Sequence, residues 1–218
     1  MDGRLTHRGI ERRSGSCLRS ASFTDMQFWF DFASTYSYVA AMRVEAECAR
    51  AGVQLEYRPF LLGPIFTELL GIKDSPFNAQ PVRGRYMWRD LERLCEKHRL
   101  SWRRPTVFPR LSVLAARVAL SSGPAIGPLT RAIFLANFAE DLDIADEAVL
   151  RTLVESTGGD GKRTLELAQT PEVKARLRQN TAEAQRIGVF GAPDFVVRGE
   201  LFFGQDRLED AIAWTRHT

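Results

Sequence analysis

The chain has few cysteines, few histidines and no long apolar run. Its 218 residues include three cysteines, Cys17, Cys48 and Cys95, and three histidines. The cysteines form no C-x-x-C pair and have no histidine pattern beside them, so the sequence indicates neither a disulfide framework nor a metal site. The longest apolar stretches fall short of the roughly 18 residues that a membrane-spanning helix needs. We therefore expect a protein of the reducing cytoplasm that has no membrane partner.

An excess of charge of one sign is also missing. The 30 basic and 27 acidic residues are mixed along the chain and leave a net charge of +3. A nucleic-acid surface would need clustered basic residues, so we expect no nucleic-acid partner. The content of 44% hydrophobic and 26% charged residues is typical of a globular protein.

The first 25 residues differ in composition from the rest of the chain. Residues 1–24 contain five arginines and several serines but lack the apolar core of a secretory signal. We expect a disordered N-terminal extension over residues 1–25. An organellar transit peptide and a true start at Met26 are the alternatives.

The pattern that follows predicts strands near both ends and helices between them. Apolar runs at 27–32 and 54–59 flank a helical stretch at 36–51, which predicts a βαβ unit with parallel strands and a right-handed crossover. Amphipathic helical patterns then occupy most of residues 66–186, and the glycine-rich residues 158–161 are interpreted as a loop.

The last 30 residues predict a hairpin and a closing helix. Strands at 194–198 and 201–203 are separated by Gly199-Glu200, a pair suited to a tight turn. The helix at 205–216 is predicted to begin with Asp206 as its N-cap and Glu209 completing a capping box.

The order βαβ, helical block, ββα predicts an α/β protein with a thioredoxin-like fold and a large all-helical insertion. We assign residues 26–65 and 187–218 to the thioredoxin-like domain and residues 66–186 to the insertion.

The segment Ser34-Thr35-Tyr36-Ser37 occupies the turn that carries the redox pair C-x-x-C in thioredoxin-like folds. Hydroxyls replace both sulfurs, so this turn cannot exchange a disulfide. Ser34 has two interpretations. It either caps the helix through its hydroxyl oxygen or donates a hydrogen bond to a bound anion such as a thiolate.

Gly191-Ala192-Pro193 arrives directly before a predicted strand. If the peptide bond before Pro193 is cis, the N–H and C=O of Ala192 face the first helix and can pair with an extended, peptide-like ligand. A trans proline in an ordinary loop is the alternative.

Together these segments resemble the 2-hydroxychromene-2-carboxylate isomerase family. The resemblance is carried by DFASTYSY (31–38), YMWRDL (86–91), VFGAP (189–193) and FGQDR (203–207), and it extends from about Met26 to Arg216. This family is related to kappa-class glutathione transferases and to the DsbA-type thioredoxin fold. The resemblance implies a dimeric, glutathione-dependent isomerase that acts on an aromatic carboxylate from aromatic-compound degradation.

The resemblance also implies roles for individual residues. Ser34 corresponds to the catalytic serine that hydrogen-bonds the glutathione sulfur, Ala192 to the residue that pairs with the cysteinyl backbone, and residues 205–207 to the site of the γ-glutamyl end. The implied glutathione-binding residues are Ser34, Thr35, Tyr36, Asn78, Ala192, Pro193, Gln205, Asp206 and Arg207. The candidates for substrate binding are Arg83, Arg85, Tyr86 and Arg89, although a solvated helix face also explains Arg85 and Arg89.

Three positions depart from the family pattern. Arg83 stands where many members have lysine, Thr35 replaces a proline, and Leu111 stands where relatives often carry asparagine. Two other functions remain open at this stage. One is a kappa-like glutathione transferase, and the other is a non-catalytic binder of thiols or extended peptides.

Overall fold

The computed structural model describes residues 24–217. The predicted N-terminal extension therefore lies, except for its last two residues, outside the described residues. Four strands form one sheet: β1 (Met26–Phe30), β2 (Leu55–Pro59), β3 (Asp194–Val197) and β4 (Glu200–Phe203). Their order is β2-β1-β3-β4. β1 and β2 are parallel, as predicted, and the β1–β3 and β3–β4 pairs are antiparallel.

β1 is buried on both faces because helices cover both sides of the sheet. On one face Phe28 stacks with both Phe30 and Phe195. Trp29 points to the other face, where its ring meets Phe60 edge-on. The apolar run in the sequence reflects this two-sided burial.

The predicted single helix between β1 and β2 is wrong at its centre. The structure has α1 (Thr35–Ala41) and α2 (Val44–Ala51), with Met42 and Arg43 between them. At this break, the Arg43 guanidinium contacts the side chains of Gln205 and Glu209 near the C-terminus. Such a long-range contact is invisible to local helix periodicity.

The middle of the chain is helical, as predicted. It comprises α3 (Leu62–Leu70), α4 (Pro76–Ala79), α5 (Pro81–His98), α6 (Val113–Ser121), a 3₁₀ turn (Gly123–Ala125), α7 (Ile126–Phe138), α8 (Glu147–Ser156), α9 (Gly161–Ala168) and α10 (Pro171–Arg186). The sequence pattern does not predict α9, because the glycines at 158–161 favour a loop, whereas Gly161 is the first residue of this helix. Asp160 starts α9 by accepting a hydrogen bond from the N–H of Arg163 at 3.0 Å.

The main core joins the sheet to the inserted helices. Phe28 and Phe30 from β1 pack in one cluster with Leu91, Ala115 and Ile133 from α5, α6 and α7. The thioredoxin-like α/β fold with a helical insertion is thus confirmed. The domain boundaries remain a prediction, and the one at residue 65 falls inside α3. None of the helices described between residues 24 and 217 is long and apolar enough to span a bilayer.

The predicted hairpin is present, but its turn lies one residue earlier, at Arg198 and Gly199, both with positive φ (53° and 84°), and Glu200 already belongs to β4. Two consecutive positive φ values are typical of a type I′ turn. The predicted capping box is wrong, because residues 205–207 form a 3₁₀ turn and α11 (Leu208–Trp214) begins only after it. Neither predicted partner caps the helix: Asp206 lies near Arg207, and Glu209 pairs with Arg43.

Candidate active site

Ser34 lies at the end of β1, where the chain enters α1. Its hydroxyl oxygen accepts a hydrogen bond from the N–H of Ser37 at 3.2 Å, and its O–H donates to the carbonyl of Ala192 at 3.0 Å. Ser34 therefore caps α1 and at the same time contacts the loop before β3. The two interpretations of this residue are compatible.

The Ala192–Pro193 peptide bond is cis, which decides between the two alternatives left open by the sequence. Its neighbours connect it to the turn after β4, because the N–H of Gly204 donates to the carbonyl of Pro193 at 2.9 Å. The two segments that flank the β3–β4 hairpin, 191–193 and 203–207, thus meet beside the start of α1.

A cavity of about 570 Å³ opens at this junction. Ser34, Thr35, Tyr36, Arg83 and Ala192 line it, so five of the predicted site residues meet in one place. Most of the remaining wall is apolar and aromatic, formed by α3, the loop at 108–113 and the loop before β3. Its aromatic members are Phe66, Phe77, Phe108, Phe190 and Phe203, and its cationic members besides Arg83 are Lys73 and Arg110.

The other predicted residues do not line this cavity. The Asn78 amide donates to the carbonyl of Phe108 at 3.0 Å, so it supports the cavity wall. Arg85 and Tyr86 are exposed on α5, and Arg89 is paired with Glu92 on the same helix. Pro193 is buried behind Ala192. The turn at Gln205–Arg207 packs against α1, where Gln205 is buried and Asp206 and Arg207 are exposed.

Comparison with known proteins establishes the family. The family model for the DSBA-like thioredoxin domain matches residues 25–212. This chain belongs to the DSBA-like thioredoxin domain family.

Relatives of this DSBA-like domain include the enzymes named by the sequence resemblance. The 2-hydroxychromene-2-carboxylate isomerase of Sphingobium xenophagum is 27% identical over 185 residues, which cover 84% of this chain and 94% of the relative. Human glutathione S-transferase kappa 1 is 28% identical over 210 residues, with 84% and 87% covered. The predicted resemblance is therefore confirmed.

Solved structures support the same fold. A 2-hydroxychromene-2-carboxylate isomerase has a TM-score of 0.77 at 23% identity, covering 86% of this chain and 94% of the other. The cytosolic disulfide reductase DsbM from Pseudomonas aeruginosa, solved with GSH, has a TM-score of 0.62 at 15% identity, covering 87% and 95%.

Sequence reasoning missed two buried charged residues in the cavity wall of this DSBA-like domain. Asp31 accepts hydrogen bonds from the N–H groups of Ala33 at 2.9 Å and Leu62 at 2.8 Å. It thereby joins the Ser34 turn to the start of α3. Burial raises the pKa of Asp31, and these hydrogen bonds oppose that rise. The sequence feature that could have pointed to Asp31 is an acidic residue at the end of a predicted buried strand.

Arg110 is the second missed residue. Its guanidinium donates to the side-chain oxygen of Asn137 at 2.9 Å and pairs with Asp141. Asn137 in turn donates to the carbonyl of Phe32 at 2.9 Å, two residues before Ser34. This network fixes the loop at 108–113 against the segment that leads from β1 into the Ser34 turn.

Tyr36 faces the cavity as a neutral phenol. Its hydroxyl donates to a carboxylate oxygen of Asp90 at 3.0 Å and so connects α1 to α5. Burial and the charge of Asp90 raise the pKa of Tyr36. A tyrosinate is therefore excluded as a base in this site at neutral pH.

The described cysteines do not replace the missing redox pair. Cys48 and Cys95 are buried in the core, and burial raises their thiol pKa values to about 12 and about 11. Thiols with such pKa values are unreactive at neutral pH. Among residues 24–217, no group of three or more His, Cys, Asp or Glu side chains is arranged to hold a metal ion.

Proposed function

We propose that this protein is a glutathione-dependent cis–trans isomerase of the 2-hydroxychromene-2-carboxylate isomerase type. The observation that carries the proposal is the position of Ser34. Its hydroxyl lies at the start of α1, against the Ala192 backbone and on the wall of an apolar cavity. A site with hydroxyls in place of cysteines needs a thiol from elsewhere, and glutathione supplies one.

The residues present fit a glutathione molecule. Among the described side chains only Ser34 donates to the Ala192 carbonyl, so a ligand N–H can take over this bond. The Ser34 hydroxyl is then free to turn and donate to a sulfur. Residues 205–207 lie next to α1, outside the cavity lining, and the exposed carboxylate of Asp206 is our candidate for the ligand ammonium.

Bound glutathione would supply a thiolate that adds reversibly to a conjugated carbon, so that the former double bond can rotate before elimination. The chain's part is to favour the ionised thiol. A free thiol of this kind has a pKa of about 8.5. To lower that pKa by one unit, the site must stabilise the thiolate relative to the thiol by about 1.4 kcal/mol. The Ser34 hydroxyl and the N–H groups at the start of α1 provide donors for that charge.

The cavity favours an aromatic carboxylate as the substrate. Its walls contain the rings of Phe77 and Phe108, which suit a planar aromatic molecule. Arg83 lines the cavity with its guanidinium over the Phe77 ring, 5.9 Å from the ring centre. We therefore propose that Arg83, rather than Arg85 or Arg89, binds the substrate carboxylate.

A kappa-like glutathione transferase is the second candidate, favoured by the similarity to the human kappa-class enzyme. The two are separated by assaying a hydroxychromene carboxylate and a chlorinated nitroarene, each with and without glutathione. We expect isomerisation that requires glutathione and does not consume it. Isomerisation at an equal rate without glutathione would contradict the proposal, and conjugation alone would favour the transferase. That the enzyme is a homodimer and that it is cytoplasmic both remain predictions.

A further inference from the structure

Asp194 is a buried acidic residue at the first position of β3. It directly follows the cis peptide bond and opens β3. Its side chain is fully buried (0% exposed), and neither carboxyl oxygen has a hydrogen-bond partner among the described residues. Buried carboxyl groups are normally paired, so an unpaired one calls for an explanation.

The neighbours of Asp194 are aromatic and apolar. In the sheet it lies directly opposite Trp29 on one side and Phe203 on the other, so the three side chains share one face. On this face Trp29 packs in a cluster with Val189 and Ala192. The carboxyl group thus lies beneath the loop that carries Ala192.

This position lies between the two segments that we propose hold glutathione. Ala192 and Pro193 immediately precede Asp194. Phe203, its partner on β4, lines the cavity and leads into Gly204 and the turn at 205–207. The 2.9 Å hydrogen bond from Gly204 N–H to the Pro193 carbonyl joins the two segments.

The other charged groups on the same side of the sheet have partners of their own. After β1, Asp31 accepts hydrogen bonds from the N–H groups of Ala33 and Leu62. On β2, Arg58 lies 2.9 Å from Glu56, and its guanidinium lies over Trp29. α10 contributes Glu183 and Arg186, which form an ion pair at 2.6 Å. α3 contributes Glu68, which is hydrogen-bonded to Gln185. None of these groups contacts Asp194, and burial alone raises the pKa of Asp194 to about 8.

We propose that Asp194 is a positioning residue that allows the two segments of the proposed glutathione site to stay together only while its carboxyl group is uncharged. The inference rests on the proposed function. Ionisation places an unpaired charge between Trp29 and Phe203, and water can reach that charge only if the segments at 191–193 and 203–207 move apart. The same movement disturbs the Ala192 backbone and the turn that follows Phe203.

The test measures how the affinity for S-methylglutathione depends on pH. This analogue has no thiol proton, so the ionisation of sulfur does not enter the measurement. Titration calorimetry is carried out between pH 6 and pH 9 on the wild-type protein, Asp194→Asn, Asp194→Val and, as a matched control, Glu183→Gln. Any titration of the analogue itself is common to all four proteins.

The wild-type protein and Glu183→Gln are expected to bind about tenfold more weakly one pH unit above the pKa of Asp194, because only about a tenth of the molecules retain the proton. Both Asp194 variants should lack this fall. Wild-type affinity that does not change with pH, or an equal fall in the Asp194 variants, would overturn the inference and leave the proposed function intact. Failure of the analogue to bind at any pH would overturn both.

Discussion

Replacement of Asp194 by asparagine should stabilise the protein at neutral pH. Asparagine keeps the size and the polar character of the side chain, but it does not ionise. In the folded protein burial raises the pKa of Asp194 from its ordinary 3.8 to about 8. At pH 7 the folded state must therefore hold a proton that the unfolded chain releases.

The cost of holding this proton follows from linkage. Each pH unit above 3.8 costs the folded state about 1.4 kcal/mol, which amounts to about 4 kcal/mol at pH 7. Because the folded pKa is raised, the wild-type protein is most stable with respect to this group below pH 4. It loses stability as the pH rises towards 8 and has no further loss from this group above that. We expect Asp194→Asn to raise the free energy of unfolding at pH 7 by about 2–4 kcal/mol, with the lower end allowing for imperfect burial of the amide.

The assay is urea unfolding at several pH values between 4 and 9, with Asp25→Asn as the control. Asp25 accepts a backbone hydrogen bond from Gln54 at the opposite end of the sheet. The gain from Asp194→Asn should grow with pH up to about 8, whereas the control should show no such growth. A variant less stable than wild type at pH 7, or one with the wild-type pH slope, would refute the reasoning.

Two further predictions concern the cavity wall. Gly191→Ala should weaken glutathione binding severalfold without unfolding the protein, because a Cβ atom there would overlap the exposed Phe203 ring and push it aside. Gly63→Ala, in the same wall but with open space around it, should leave the affinity measured by calorimetry unchanged. Arg83→Ala should raise KM for the carboxylate substrate about tenfold or more while kcat changes little, as expected for lost substrate binding. Arg89→Ala should alter neither constant, and equal effects of the two arginine substitutions in steady-state kinetics would count against the role of Arg83.

The order of the strands and of most helices was predictable from the sequence because the relevant signals are local. The aromatic run of β1 is buried on both faces, and the glycine after Arg198 marks the hairpin, so each feature appears in a short window. The break at Arg43 and the pairing of Glu209 with Arg43 were not predictable, because they involve contacts between residues far apart in the chain.

The candidate site was predictable only in part. Ser34 and Ala192 follow from a motif at a turn and a proline before a strand. The network of Arg110, Asn137 and the Phe32 carbonyl needs three segments to meet, which no local pattern contains. Asp194 is similar, because a single acidic residue at the start of a strand indicates nothing until its burial is known.

The proposed function depends on Ser34, whose hydroxyl stabilises the thiolate of bound glutathione. The most direct measurement is the thiol pKa of bound glutathione, followed by thiolate absorbance, in the wild-type protein, Ser34→Ala and Thr170→Ala. Thr170 caps α10 as Ser34 caps α1, so both substitutions remove a cap worth about 1 kcal/mol. We expect a bound thiol pKa about two units below that of free glutathione in the wild-type protein and Thr170→Ala, and a value close to the free one in Ser34→Ala. A thiol pKa that is the same in all three proteins would contradict the account.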